Sequence, residues 1–160
     1  MEPGDSEYGF YQLLRTPLEE ALPRLLEKAL GSGFRALVRT DTAERAEFLS
    51  LALWTYDPAS FLPHGTAADG EAERQPVWLT AGDENPNGAE LLILTDQAAP
   101  PSRHSFRRCL FLFDGREPEQ LTLARDRYRD LLRAGAAIRY FEQTEDGWRL
   151  AAERKREQVS

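Results

Sequence analysis

The chain has 160 residues, 41% of them hydrophobic and 29% charged, with a net charge of −7, which describes one globular domain long enough to bury a core unaided. The single cysteine, Cys109, excludes an intrachain disulfide and any cysteine-rich zinc site, and no run approaches the ~18 apolar residues that span a bilayer. The acidity argues against broad contact with nucleic-acid phosphates, although a local basic face within an acidic whole stays open.

The leader "MEPGDSEYG" has no basic-then-apolar signal pattern, so a cytoplasmic protein is expected. Aromatic-rich "YGFYQLL" (Tyr8 to Leu14) reads as a strand. "TPLEE" follows at once, with Thr16 suited to an N-cap, Pro17 to the first helical position and Glu19 to a capping box. Leu18, Leu22, Leu25, Leu26, Ala29 and Leu30 then recur on one helical face, up to Gly31 or Gly33. Pro23 has no amide proton and is expected to bend or split that helix. "FRALVRT" (Phe34 to Thr40) is a second strand, and Asp41 with Glu44 is a capping pair for a helix running to Trp54. "PVWLTA" (Pro76 to Ala81) and "AELLILTD" (Ala89 to Asp96) continue the sheet across the turn "GDENPNG". "RRCLFLFDG" (Arg107 to Gly115) is a fifth strand, followed by a helix from Pro118 to Ala134 that ends at Gly135. "AIRYFEQTEDGWRLA" (Ala137 to Ala151) reads as a last strand and turn, and "ERKREQVS" as a charged tail. The alternation predicts parallel strands with right-handed crossovers: an α/β sandwich around a mostly parallel sheet.

Folds of this kind bind nucleotides where a strand meets a helix N-terminus, with glycines bringing backbone amides onto the phosphate. Neither GxGxxG nor GxxxxGK[ST] is present, and Glu19, Glu20, Asp41 and Glu44 place negative charge where a phosphate would sit. Cys109 lies inside an apolar strand, as an inert core thiol does. There is no GxSxG elbow and no HExxH helix, and His64 and His104 are isolated from each other. His64 follows Pro63 in an aromatic loop and reads as a packed or hydrogen-bonded histidine rather than a base. Asp83 to Asn85 is a turn first. No catalytic set, cofactor or metal is expected.

Two stretches carry more information. "ALWTYDPASFLPHGTA" (Ala52 to Ala67) crowds Trp54, Tyr56, Phe61 and His64 around Pro58 and Pro63, which suits an active-site loop, a piece of core or an aromatic docking surface. In "PEQLTLARDRYRDLLRAG" (Pro118 to Gly135), Leu121, Ala124, Tyr128, Leu131 and Leu132 fall on one helical stripe. Arg125 and Arg129 run along its flank and Arg133 continues the row. Guanidinium forks beside a ring suit a carboxylate, above all the free terminus of an anionic peptide with an apolar tip. An ordinary amphipathic helix, its arginines paired with Asp126, Asp130 and Glu119 or solvated, accounts for the same spacing.

The order strand, helix, strand, helix, then "LW…SFLPH", then "LARDRYRDLLRAG" resembles the chi subunit of bacterial DNA polymerase III holoenzyme, from Tyr8 to Trp148. The resemblance implies a three-layer, Rossmann-like sandwich without a phosphate-binding loop: a flexible leader over 1–7, one domain over 8–151 and a flexible charged tail over 152–160. It implies a non-catalytic, cytoplasmic replisome adaptor that binds the acidic C-terminal tail of single-stranded DNA-binding protein and, through a psi-like partner, the clamp loader. Nucleic acid is then met only indirectly, and no membrane is involved. By position the tail pocket falls on Arg125, Tyr128, Arg129 and Leu132, with Arg129 in place of the family's lysine, which keeps the charge and changes the donor geometry. The psi-like surface falls on Trp54, Phe61, Pro63 and His64. Two other readings stand beside this one: a nucleotide-dependent enzyme with an unusual phosphate loop, and direct binding of single-stranded DNA by exposed aromatic rings.

Overall fold

A computed structural model describes residues 6–57, 62–102 and 106–156. In chain order these residues form β1 (Glu7–Leu13), α1 (Leu18–Gly31), β2 (Ala36–Arg39), α2 (Ala43–Thr55), a short 3-10 turn (Ala72–Arg74), β3 (Val77–Thr80), β4 (Leu91–Thr95), β5 (Arg108–Asp114), α3 (Pro118–Arg133), β6 (Ala137–Gln143) and β7 (Trp148–Arg154). The strands make one sheet in the order β3-β2-β4-β5-β1-β6-β7. Every neighbouring pair is parallel except β6 with β7.

The layering follows from the sequence pattern. Strand side chains alternate between faces, so Leu13, Val38, Ile93 and Leu112 enter one core with α1 and α2. Phe10, Leu37, Leu92 and Phe111 enter a second core with α3. Strands such as β4, with "LLILT" buried throughout, are apolar on consecutive residues because helices or loops cover both of their faces. The result is the expected three-layer α/β sandwich. On the α3 face, parallel register sets Phe10 beside Phe111 and Tyr140, with ring centroids 4.6 and 5.7 Å apart.

The helix starts differ from the sequence reading. Pro17 is the N-cap of α1 and no side chain caps it, because the Thr16 hydroxyl instead accepts from Gln143 Nε2 at 2.6 Å. Helix α1 runs unbroken through buried Pro23, since the lost hydrogen bond falls close to the helix start and burial of the ring offsets it. At α2 the cap is Thr42, whose side chain accepts from the Arg45 amide, rather than Asp41. The C-terminal stretch forms a complete hairpin: β7 continues to Arg154, three residues past Ala151, while β1 begins at Glu7.

Strand β1, inside the sheet between β5 and β6, marks the topological switch point. Helix α1 carries the chain from β1 towards β2, and α3 carries it from β5 past β1 to β6 on the opposite face. In open α/β sheets this crevice is where ligands usually bind. Here it is filled from within. Gln143 Oε1 accepts from the amides of Leu14 (3.1 Å), Arg15 (2.8 Å) and Thr16 (3.1 Å). From the other side Arg116 Nη2 donates to the Thr16 carbonyl at 3.0 Å. Gly115 makes the approach possible: a β-carbon there would lie 2.4 Å from the Gln12 side chain.

Candidate functional site

Helix α3 opens with Pro118 at its first turn and Glu119 favouring the positive end of the helix dipole. Ala124 is buried, and Leu121, Tyr128, Leu131 and Leu132 pack half-buried against the α3-side core. Arg125, Arg129 and Arg133 are exposed beside that stripe. Only Arg129 among them forms an ion pair within the described residues, with Asp126 at 3.3 Å, and both partners remain more than half exposed. Glu119 turns instead to Gln97 Nε2, 3.5 Å away. Such an exposed pair contributes little and exchanges readily for another anion.

Tyr128 sits against a wall of rings. Its centroid lies 5.5 Å from Phe10 and 5.8 Å from Tyr140, both edge-on. Tyr140 donates its hydroxyl to Gln12 Oε1 at 2.6 Å. Burial, then the nearby Glu142 carboxylate, pushes that hydroxyl up to about 12 against the opposing influence of Arg125. Arg154 of β7 donates to the Leu132 carbonyl at 3.0 Å, tying the hairpin to the end of α3. The four α3 residues predicted from the sequence therefore lie on one surface: two exposed guanidinium groups flank a half-buried ring and leucine. Tyr140 and Arg154 join them, and neither carried a sequence signal, because only strand pairing brings β6 and β7 against α3.

The aromatic stretch after α2 divides differently. Trp54 is 54% exposed. His64 is 4% exposed, with its ring 4.6 Å from that of Trp54. His64 Nδ1 lies 2.6 Å from the Leu62 carbonyl and Nε2 lies 3.1 Å from the Ser50 carbonyl. Both partners are acceptors, so a neutral imidazole donates to one of them at a time. His64 is thus a packed residue that supports Trp54, and Pro63 is half-buried beside it. Phe61 and Pro58 lie outside the described residues, as does His104. Two residues not singled out in the sequence extend the surface: Phe48, 46% exposed, and Leu51, 63% exposed. Their signal was that α2 is apolar on nearly every face, whereas a solvated helix has a polar one.

Cys109 is buried, and that burial pushes its thiol up to about 12, out of the range of a nucleophile. Within the described residues there is no group of three or more His, Cys, Asp or Glu side chains placed to hold a metal ion. No described helix is long and apolar enough to cross a membrane.

The family profile described as DNA polymerase III chi subunit, HolC, matches residues 6–139. A probable DNA polymerase III subunit chi of Rickettsia prowazekii (strain Madrid E) is 32% identical over 88 residues, covering 55% of this chain and 53% of that protein. DNA polymerase III subunit chi of Haemophilus influenzae (strain ATCC 51907 / DSM 11121 / KW20 / Rd) is 31% identical over 119 residues, covering 71% of this chain and 79% of that protein. The match thus spans about half the length of the first relative and about four fifths of the second.

Proposed function

The chain belongs to the DNA polymerase III chi subunit family, and from that membership we propose a non-catalytic accessory subunit of the replicative polymerase that grips the acidic C-terminal tail of single-stranded DNA-binding protein on α3. The observation that carries this reading is the pairing of exposed Arg125 and Arg129 with the half-buried Tyr128 and Leu132. The ring and leucine receive the apolar tip of the tail. The guanidinium forks receive its terminal carboxylate and the acids before it. Asp126 is displaced from Arg129 at small cost, because that ion pair is solvent-exposed. Ordering a disordered tail offsets part of the gain, so the affinity is modest and falls as salt rises.

The α2 surface, Phe48, Leu51 and Trp54 supported by His64 and Pro63, is the second half of the proposal: a psi-like clamp-loader partner covers it. Exposed apolar residues clustered on one helix mark such contacts. A nucleotide-dependent enzyme is the less favoured reading, because the three amides a phosphate would need are engaged by Gln143.

Titration calorimetry with a synthetic acidic tail peptide tests the α3 assignment. Binding is expected to weaken at least about tenfold in Arg125→Ala or Arg129→Ala, with the melting temperature unchanged because both side chains are exposed. Tyr128→Ala is expected to abolish binding and also to lower stability, since the ring packs on Phe10 and Tyr140. Wild-type binding that survives deletion of the peptide's last residue would remove the reading.

A further inference from the structure

On the face that carries α1 and α2, the sheet is incompletely covered. Parallel strands are ordinarily buried on both faces, yet beyond α1 no described element covers β1 and β6 on this side. The opening is a groove of about 650 Å³. Its floor includes Gly9, Leu110 and Ala137, and α1 forms one wall through Leu25, Lys28 and Ala29. The depth at Gly9 depends on glycine, because a β-carbon there would lie 2.8 Å from Leu110. Tyr11, Phe34 and Phe141 present rings along it, with Tyr11 and Phe141 stacked at 4.8 Å.

The charge of the groove runs against that of the molecule. Six cationic residues line it, Lys28, Arg108, Arg139, Arg154, Lys155 and Arg156, against two acidic ones, Glu7 and Glu153, in a chain of net charge −7. Three of the six follow residue 139, beyond the segment that the chi-subunit profile matches. Clefts lined by one sign of charge focus the field and draw in the opposite charge. We propose that this groove binds a short stretch of single-stranded nucleic acid, its phosphates on the basic rim and its bases against the rings.

The chemistry of the rim favours a phosphodiester strand over an acidic peptide. Arg108 and Arg139 are paired with Glu7 at 3.0 Å and Glu153 at 2.8 Å through exposed contacts that exchange as readily as that of Arg129, so the preference for phosphates rests on the lysines. Lys28 and Lys155 form no ion pair among the described residues, and as compact point charges they suit phosphates without sequence preference. Half-buried aromatic rings stack with any unpaired base, whereas a duplex keeps its base faces hidden. The inference does not rest on the tail reading: α3 lies on the other face of the sheet, and Arg154, whose guanidinium reaches the Leu132 carbonyl of α3, is the one residue common to both, while Lys28 and Lys155 belong to the groove alone.

Fluorescence anisotropy with a labelled dT oligomer of about 15 nucleotides, within the usual site size, tests it on the full chain at low salt. Binding is expected at micromolar to about 100 μM protein, weakening as salt rises. The double variant Lys28→Glu with Lys155→Glu is expected to weaken it at least about tenfold without changing the thermal melt, and Arg129→Ala to leave it unchanged. An abasic oligomer of equal length is expected to bind at least about fivefold more weakly, having no bases to stack. The proposal fails if the oligomer does not bind, if a duplex of the same length binds as well, if the lysine variant binds like wild type, or if the abasic oligomer binds like dT. It fails also if the lysine variant loses the acidic peptide instead, which would make the groove a polypeptide site. Loss of oligomer binding in Arg129→Ala would move the contact to α3 and equally overturn it.

Discussion

Gln143 offers one side-chain oxygen to three consecutive amides, at 3.1, 2.8 and 3.1 Å, while its Nε2 donates to the Thr16 hydroxyl at 2.6 Å. A shared acceptor makes each bond weaker than it would be alone, but together they fix the β1–α1 loop against the end of β6. Gln143→Ala is expected to cost about 1–2 kcal/mol, read as a lower urea midpoint at unchanged slope. The loss stays at that level because the Leu14 and Arg15 amides are exposed and water replaces the lost oxygen. Gln143→Glu keeps the acceptor, and the Thr16 hydroxyl can reverse its role and donate, so that variant is expected to retain most of the stability. An equal loss in both variants would show that the loop is held by something other than this oxygen. Nothing in the sequence marks Gln143 for this part, because 129 positions separate it from Leu14. Individual long-range polar contacts are therefore the least legible level of the fold.

Helix α2 shows what a single element reveals and what it conceals. Its buried side holds Ala46, Leu49 and Leu53, while Phe48, Leu51 and Trp54 face outward. Burial separates the energetic roles of the two leucines. Leu49→Ala empties a fully buried site and is expected to cost about 2–5 kcal/mol, whereas Leu51→Glu is expected to change stability by less than about 0.5 kcal/mol. Denaturant titration of the two variants checks the contrast, and a large loss in Leu51→Glu would mean that this face is held by the fold. The helices and the apolar strands were legible because 3.6-residue and continuous apolar patterns are local properties. Strand β7 was not, because its alternation is short, Trp148, Leu150 and Ala152 set among Arg149, Glu153 and Arg154, and it gains its place by pairing with β6. The cap of α1 departs from the sequence pattern for a related reason: Thr16 has the right chemistry for an N-cap, but Gln143 competes for its hydroxyl from the far end of the chain. On α3 the spacing placed Arg125, Tyr128, Arg129 and Leu132 together because a helix fixes neighbours three and four apart, while Tyr140 and Arg154 arrived through the sheet.

Across the whole molecule, the sheet separates the proposed α2 and α3 surfaces, each helix packing on its own core. Arg45 of α2 and Arg127 of α3 both lie near Asp41, but neither belongs to the proposed surfaces, and the layers between those surfaces are packed side chains rather than a movable hinge. An adaptor benefits from this arrangement, since one partner can be exchanged while the other stays bound. Perturbations at sites so separated are expected to be additive within about 0.3–0.5 kcal/mol. Leu51→Glu should therefore leave the affinity of the α3 surface for the acidic tail peptide within about twofold of wild type, measured by calorimetry in one buffer at fixed salt. The salt must be held constant because the substitution deepens the net charge of −7 and adds a weak, screened repulsion of an acidic ligand. Raising the salt in both proteins separates the causes: a difference that shrinks with salt is this long-range repulsion, and one that persists is transmitted through the sheet. A salt-independent loss of more than about fivefold would exceed additivity and show that the surfaces communicate, so that tail binding and partner binding would be coupled events.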